Sequence, residues 1–130
     1  MIYLDTSVAL AQLLAEDHKP PEQLWAEPLV SSRLLEYEVW TRIHSRKLTG
    51  SHGDVVRALL ARLAFVELDR RVLVRALEPF PAPVGTLDAL HLASAEFLRE
   101  HGQHVVLASF DAQMVRAARA LGIRTYALES

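Results

Sequence analysis

Three aspartates stand where structure changes along this chain: Asp5 after the apolar run Ile2-Tyr3-Leu4, Asp88 at the start of a long helical pattern, and Asp111 after Val105-Val106-Leu107-Ala108. In an open α/β fold, ligands and catalytic groups gather at the carboxyl ends of the strands. If the strands before Asp5 and Asp111 are neighbours, their carboxylates converge on one edge. Each acid taken singly has an ordinary reading, because the helix macrodipole and unpaired N–H groups favour acids at helix starts. Taken together they repel, and burying several ionised carboxylates is costly unless a cation neutralises them.

The chain has no cysteine, so such a site offers mainly oxygen ligands. That favours a hard ion, Mg²⁺ or Mn²⁺, which keeps some of its waters. An ion of this kind makes a bound water more acidic and offsets charge on a phosphoryl oxygen, chemistry that suits phosphodiester hydrolysis. No serine–histidine or cysteine nucleophile arrangement competes with it. Helix 33–47 adds Glu36 and Glu38, which point to nearly opposite sides and both flank the apolar stripe Leu35, Val39 and Ile43. Periodicity does not choose between them, and Arg42, one turn beyond Glu38, is a candidate ion-pair partner for it. His91, on the same helix as Asp88, reads as a packed, hydrogen-bonded core residue.

The elements that must position these groups alternate strand and helix. Strands are predicted at 2–4, 29–31, 65–68, 104–108 and 123–127. Helices are predicted at 7–16, from Pro21 to Trp25, at 33–47, from Asp54 to Ala64, at 70–78, 87–100 and 112–121. Thr6 or Ser7, Ser31 or Ser32, Asp54, Asp69 and Thr86 are the expected helix caps. Gly50-Ser51-His52-Gly53 reads as a break, and Pro79, Pro81, Pro83 and Gly85 as a rigid loop. Val72, Leu73 and Leu77 are expected core contacts. This alternation implies a parallel sheet with helices on both faces.

The 130 residues, 51% of them hydrophobic, fit one domain spanning 1–130 with a real core. No apolar run approaches the roughly 18–20 residues of a membrane span. The start lacks the basic and long apolar regions of a signal peptide, so a cytoplasmic protein is expected. Net charge is −2, yet Arg33, Arg42, Arg46 and Lys47 cluster in one segment and Arg70, Arg71 and Arg75 in another.

Four segments together resemble the PIN-domain family, and within it the VapC toxins of toxin–antitoxin pairs. Ile2-Tyr3-Leu4-Asp5-Thr6-Ser7 is similar to the family's opening motif. Val30-Ser31-Ser32-Arg33-Leu34-Leu35-Glu36-Tyr37-Glu38-Val39 resembles the second, whose acid falls on Glu38. Leu87-Asp88-Ala89-Leu90-His91-Leu92-Ala93 is close to the third, and Ala108-Ser109-Phe110-Asp111 to the fourth. Ser109 stands where threonine is common, and Phe110 where tyrosine or a small residue is frequent.

The resemblance implies a three-layer α/β/α fold with a parallel sheet of four or five strands. It also implies Mg²⁺- or Mn²⁺-dependent endoribonuclease activity on tRNA or a ribosomal RNA loop, a homodimer, and inhibition by a VapB antitoxin. Asp5, Glu38, Asp88 and Asp111 are then the catalytic and metal-binding acids. Thr6, Ser7 and Ser109 would orient carboxylates or waters, and Arg42 and Arg46 would guide the RNA backbone. Leu34 and Trp40 are candidates for the dimer surface or, equally, for the core. A PIN-like module that binds RNA or metal without turnover is the alternative. A receiver- or phosphatase-type site is disfavoured because no Asp-x-Asp follows the first strand.

Overall fold

The computed structural model describes residues 1–14 and 17–128; Ala15 and Glu16, where part of the expected helix 7–16 falls, lie outside them. Five short strands, β1 (Ile2–Leu4), β2 (Leu29–Ser32), β3 (Leu63–Val66), β4 (Val106–Ala108) and β5 (Arg124–Thr125), form one sheet in the order β3-β2-β1-β4-β5. Every pairing is parallel. The chain begins at the centre, steps outward through β2 and β3, and returns to place β4 on the other side of β1. The strand order therefore reverses between β1 and β4, which makes the crevice beyond their carboxyl ends the expected ligand site.

Strand periodicity divides the core in two. Ile2 and Leu4 face a layer made by α1 (Thr6–Leu13), α2 (Arg33–Ser45) and α3 (Thr49–Leu60). Tyr3 points the other way, into a layer made by α4 (Arg70–Ala76), α5 (Thr86–Glu100) and α6 (Ala112–Ala120). The result is the expected α/β/α sandwich. Strands β1 and β2 are buried along their whole length, as central parallel strands covered on both faces must be. The α2 stripe of Leu35, Val39 and Ile43 is fully buried, and Ser32 caps that helix by accepting from Leu34 N–H. Asp69 caps α4 in the same way through Val72 N–H. Among the described residues, no helix is long and apolar enough to cross a membrane.

Several expectations about local structure need correction. The break placed at Gly50–Gly53 lies earlier, at Lys47, whose φ of 58° turns the chain out of α2. Helix α3 then runs through both glycines, and Gly53 is buried with the Arg57 guanidinium close over it. Asp54 does not cap; it pairs with Arg57 at 2.9 Å one turn on. Strand β3 begins two residues early because Leu63 and Val66 turn inward in register with Leu29 and Ser32. Thr6, Ser7 and Thr86 are not caps: Asp5 and Gly85 hold those backbone positions, without side-chain capping bonds. In α4 only Val72 of the three expected apolar contacts is buried, since one short helix cannot turn Leu73 and Leu77 toward the same core; Leu77 is 85% exposed.

Leu35→Ala is expected to lower unfolding free energy by about 2–5 kcal/mol through the cavity it leaves. Leu77→Ala should change it by no more than about 0.5 kcal/mol. Urea denaturation of the two variants checks this; equal losses would show that the Leu77 side chain is buried in solution.

Candidate active site

The crevice beyond β1 and β4 is built from hydroxyls and carboxylates. Leu4 pairs with Ala108, and Asp5 N–H donates to the Ala108 carbonyl at 2.9 Å, so the two strands leave the sheet side by side. Asp5, only 6% exposed, accepts hydrogen bonds on Oδ2 from Ser7 and Ser109, each at 2.7 Å. Those two hydroxyls in turn accept from backbone: Ser7 from Phe110 N–H at 3.0 Å and Ser109 from Asp111 N–H at 2.9 Å. Asp111 occupies the cap of α6, with Oδ1 accepting from Gln113 and Met114 N–H. Its second oxygen takes no protein hydrogen bond among the described residues.

Glu38 comes from the opposite side of the crevice, on the second turn of α2. Its Oε1 accepts from the Thr6 hydroxyl at 2.7 Å and lies 2.7 Å from His91 Nε2. His91 is buried on α5, and its Nδ1 is 2.7 Å from the Tyr3 hydroxyl. Burial alone would raise the Glu38 pKa; the hydrogen bond to His91, then the Thr6 hydroxyl and the field of Arg42, outweigh it and hold the carboxyl below its usual range. No Arg42–Glu38 ion pair forms among the described residues. Glu36, by contrast, faces out and meets Arg33 at 3.5 Å.

Asp88 is half-buried in the first turn of α5, and no protein donor reaches its carboxylate among the described residues. Its pKa is pushed up to about 6, first by burial and then by repulsion from Asp111 and Asp5, with Glu38 adding to the rise. One carboxyl thus senses the other three, although the four are separated by up to 106 residues of chain. Among the described residues, no three acidic or histidine side chains converge tightly enough to hold an ion by themselves. Arg42 and Arg46 lie exposed on α2 and its C-terminal end, outside any ion pair among the described residues.

The link that sequence did not display is Tyr3 to His91. The only signals were an aromatic hydroxyl inside an aliphatic strand and a histidine one helical turn after Asp88; neither names the other. Burial of Tyr3, and after it the Asp5 charge, keep the phenol protonated far above neutral pH.

Comparison with known proteins identifies the family. The PIN domain family model matches residues 2–120. Ribonuclease VapC46 of Mycobacterium tuberculosis is 32% identical, in an alignment covering 97% of this chain and 96% of that protein.

The Asp88 shift fixes a sign for the pH dependence of stability. Its folded-state pKa is raised, so the folded protein holds a proton that the unfolded chain releases, and stability is lost as pH climbs from 3.8 through about 6. Asp88→Asn should therefore stabilise the metal-free protein increasingly over that window, by less than about 1 kcal/mol once solvent screening is counted. Thermal melts in EDTA between pH 4 and 7.5 test this. An effect of the substitution that is flat with pH would show that Asp88 is not crowded by the other acids.

Proposed function

This chain belongs to the PIN-domain family as a VapC-type member, and from that premise we propose that it is a divalent-metal-dependent endoribonuclease acting through Asp5, Glu38, Asp88 and Asp111. The observation that carries this reading is geometric: Asp5 and Asp111 follow the paired strands β1 and β4 and share the Ser109 hydroxyl, while Thr6, next in chain to Asp5, holds Glu38 at the same edge. Such a crevice is unfavourable by itself and becomes favourable when it serves a cation.

The donor set fits Mg²⁺ or Mn²⁺. Among the described residues, Asp5, Glu38 and Asp111 each bond protein donors through one oxygen only, leaving the other available, and Asp88 is bonded through neither. Because no three of these groups converge on one point, an ion here would keep waters in its shell, as Mg²⁺ prefers. When bound, the ion supplies neutralising charge at the scissile phosphate and a more acidic water. The chain's own residues do the rest. Ser7 and Ser109 fix the rotamer of Asp5, Thr6 and His91 fix Glu38, and the α6 N-terminus fixes Asp111. Asp88, which meets no protein donor among the described residues, can adjust toward the ion. Arg42 and Arg46 would meet the phosphates flanking the cut.

The same reading carries a VapB-type antitoxin as inhibitor, a homodimer, a cytoplasmic location, and tRNA or a ribosomal RNA loop as target. RNA is recognised largely by shape and by exposed single-stranded bases, so the target is a property of the whole face around the crevice.

Cleavage of a fluorogenic RNA should require Mn²⁺ or Mg²⁺ and stop in EDTA. Asp5→Asn and Asp88→Asn should each reduce it at least about a hundredfold, the scale on which removing a transition-state-stabilising group acts. Undiminished cleavage by both variants would identify a contaminating nuclease. Metal and RNA binding without turnover by the parent chain would instead make it a binding module.

A further inference from the structure

A second polar chain runs beneath the carboxylates and crosses the sheet from one helical layer to the other. Tyr3 belongs to the central strand and points into the α5 layer; His91 stands on α5; Glu38 arrives from α2 on the opposite layer. The contacts are 2.7 Å from the Tyr3 hydroxyl to His91 Nδ1 and 2.7 Å from His91 Nε2 to Glu38 Oε1. Thr6 Oγ1 closes a triangle with them, 2.7 Å from Glu38 and 3.1 Å from His91 Nε2.

Donor counting fixes the protons in this chain. An ionised carboxylate only accepts, and a threonine hydroxyl has a single hydrogen. That hydrogen goes to Glu38, so the proton between Glu38 and His91 must sit on Nε2, which also points at the Thr6 lone pairs. In a neutral ring Nδ1 is then the acceptor, and the Tyr3 O–H is the donor that occupies it. Both bonds to Glu38 fall on Oε1, and among the described residues no donor is paired with Oε2.

We propose that Tyr3 and His91 are positioning residues: Tyr3 sets the tautomer of His91, and His91 then anchors one oxygen of Glu38 so that the other is presented to the crevice. Its kinetic consequence rests on the ribonuclease reading, whereas its structural consequence rests on hydrogen-bond geometry alone. Losing a group that orients a ligating side chain commonly costs about 10–100-fold in activity or metal affinity. A ring that merely filled the core would be replaceable by any side chain of similar bulk.

Nitrogen-15 NMR of the metal-free parent, at a pH high enough for the imidazole to be neutral, should show His91 protonated on Nε2 alone. In Tyr3→Phe, which keeps the ring and loses only the hydroxyl, both tautomers should appear. A neutral parent ring protonated on Nδ1 overturns the proposal, and so does a Tyr3→Phe spectrum identical to the parent's. In RNA cleavage, His91→Leu should lower kcat roughly 10–100-fold with KM within about twofold. His91→Gln, whose amide N–H reaches the Nε2 position, should recover most of that loss. Equal losses in the two variants, or a loss expressed wholly in KM, count against positioning. If the parent chain shows no metal-dependent cleavage, the ribonuclease reading fails while the NMR comparison still decides the relay; it also decides the relay if His91→Leu does not fold.

Discussion

Mutual repulsion among carboxylates at the carboxyl edge of a parallel sheet is the constraint to which most of the polar structure answers. Each acid is handled differently. Asp5 is buried and receives two hydroxyls, Glu38 receives a hydroxyl and an imidazole N–H, and Asp111 is solvated by the backbone of α6. Asp88 receives nothing from the described residues, and burial first, then repulsion from Asp111 and Asp5, raises its pKa. Hydrogen bonds to the charged form keep an acid ionised, and where they are missing the proton returns. The crevice therefore holds four unequal carboxylates, three bonded to protein donors and one, Asp88, that receives none among the described residues.

The hydroxyls that solvate Asp5 also extend the sheet. Strands β1 and β4 are only three residues each, too short to align their ends by ladder bonds alone. Beyond Leu4 and Ala108 the lattice continues through Ser7 to Phe110 N–H and through Ser109 to Asp111 N–H. Removing either hydroxyl would strip a donor from Asp5 and a partner from a backbone N–H together. Stability and electrostatics share atoms here, so the two cannot be tuned independently at this edge.

Much of this was legible in the sequence because it depends on local rules. A strand of three apolar residues followed by an acid, the 35–39–43 stripe, and the Asp69 cap are each specified within a turn or two of chain. The sandwich follows from strand–helix alternation. What escaped is what depends on packing across the fold. Glycines at 50 and 53 ordinarily weaken a helix by about 1 kcal/mol, yet α3 passes through them because Val56, Leu59 and Leu60 bury against the core. Leu73 and Leu77 carry the right chemistry for a core, but a helix of seven residues turns only one narrow face to α5. Glu36 and Glu38 are equivalent by periodicity, and only the fold assigns one to Arg33 at the surface and the other to His91 beneath the crevice.

The distribution of charge turns a contradiction into a division of labour. A crevice of four acids repels RNA, and a net charge of −2 offers no attraction from a distance. Setting those four acids aside, however, fourteen lysines and arginines face twelve acids over the rest of the chain. At physiological ionic strength fields decay within about 8 Å, so a phosphate responds to the groups beside it and not to the net value. Glu38, Arg42 and Arg46 follow one another at four-residue intervals, so that α2 leads from the crevice outward along a line that begins with an acid and continues with two exposed cations. A nucleic acid lying along that line would have its flanking phosphates over arginines and one phosphate over the carboxylates. On the proposed reading, a divalent ion there would reverse the sign of the field. Binding and cutting would thus draw on opposite charges of a single helix, and at its negative end the proposed metal would serve the substrate as much as the carboxylates.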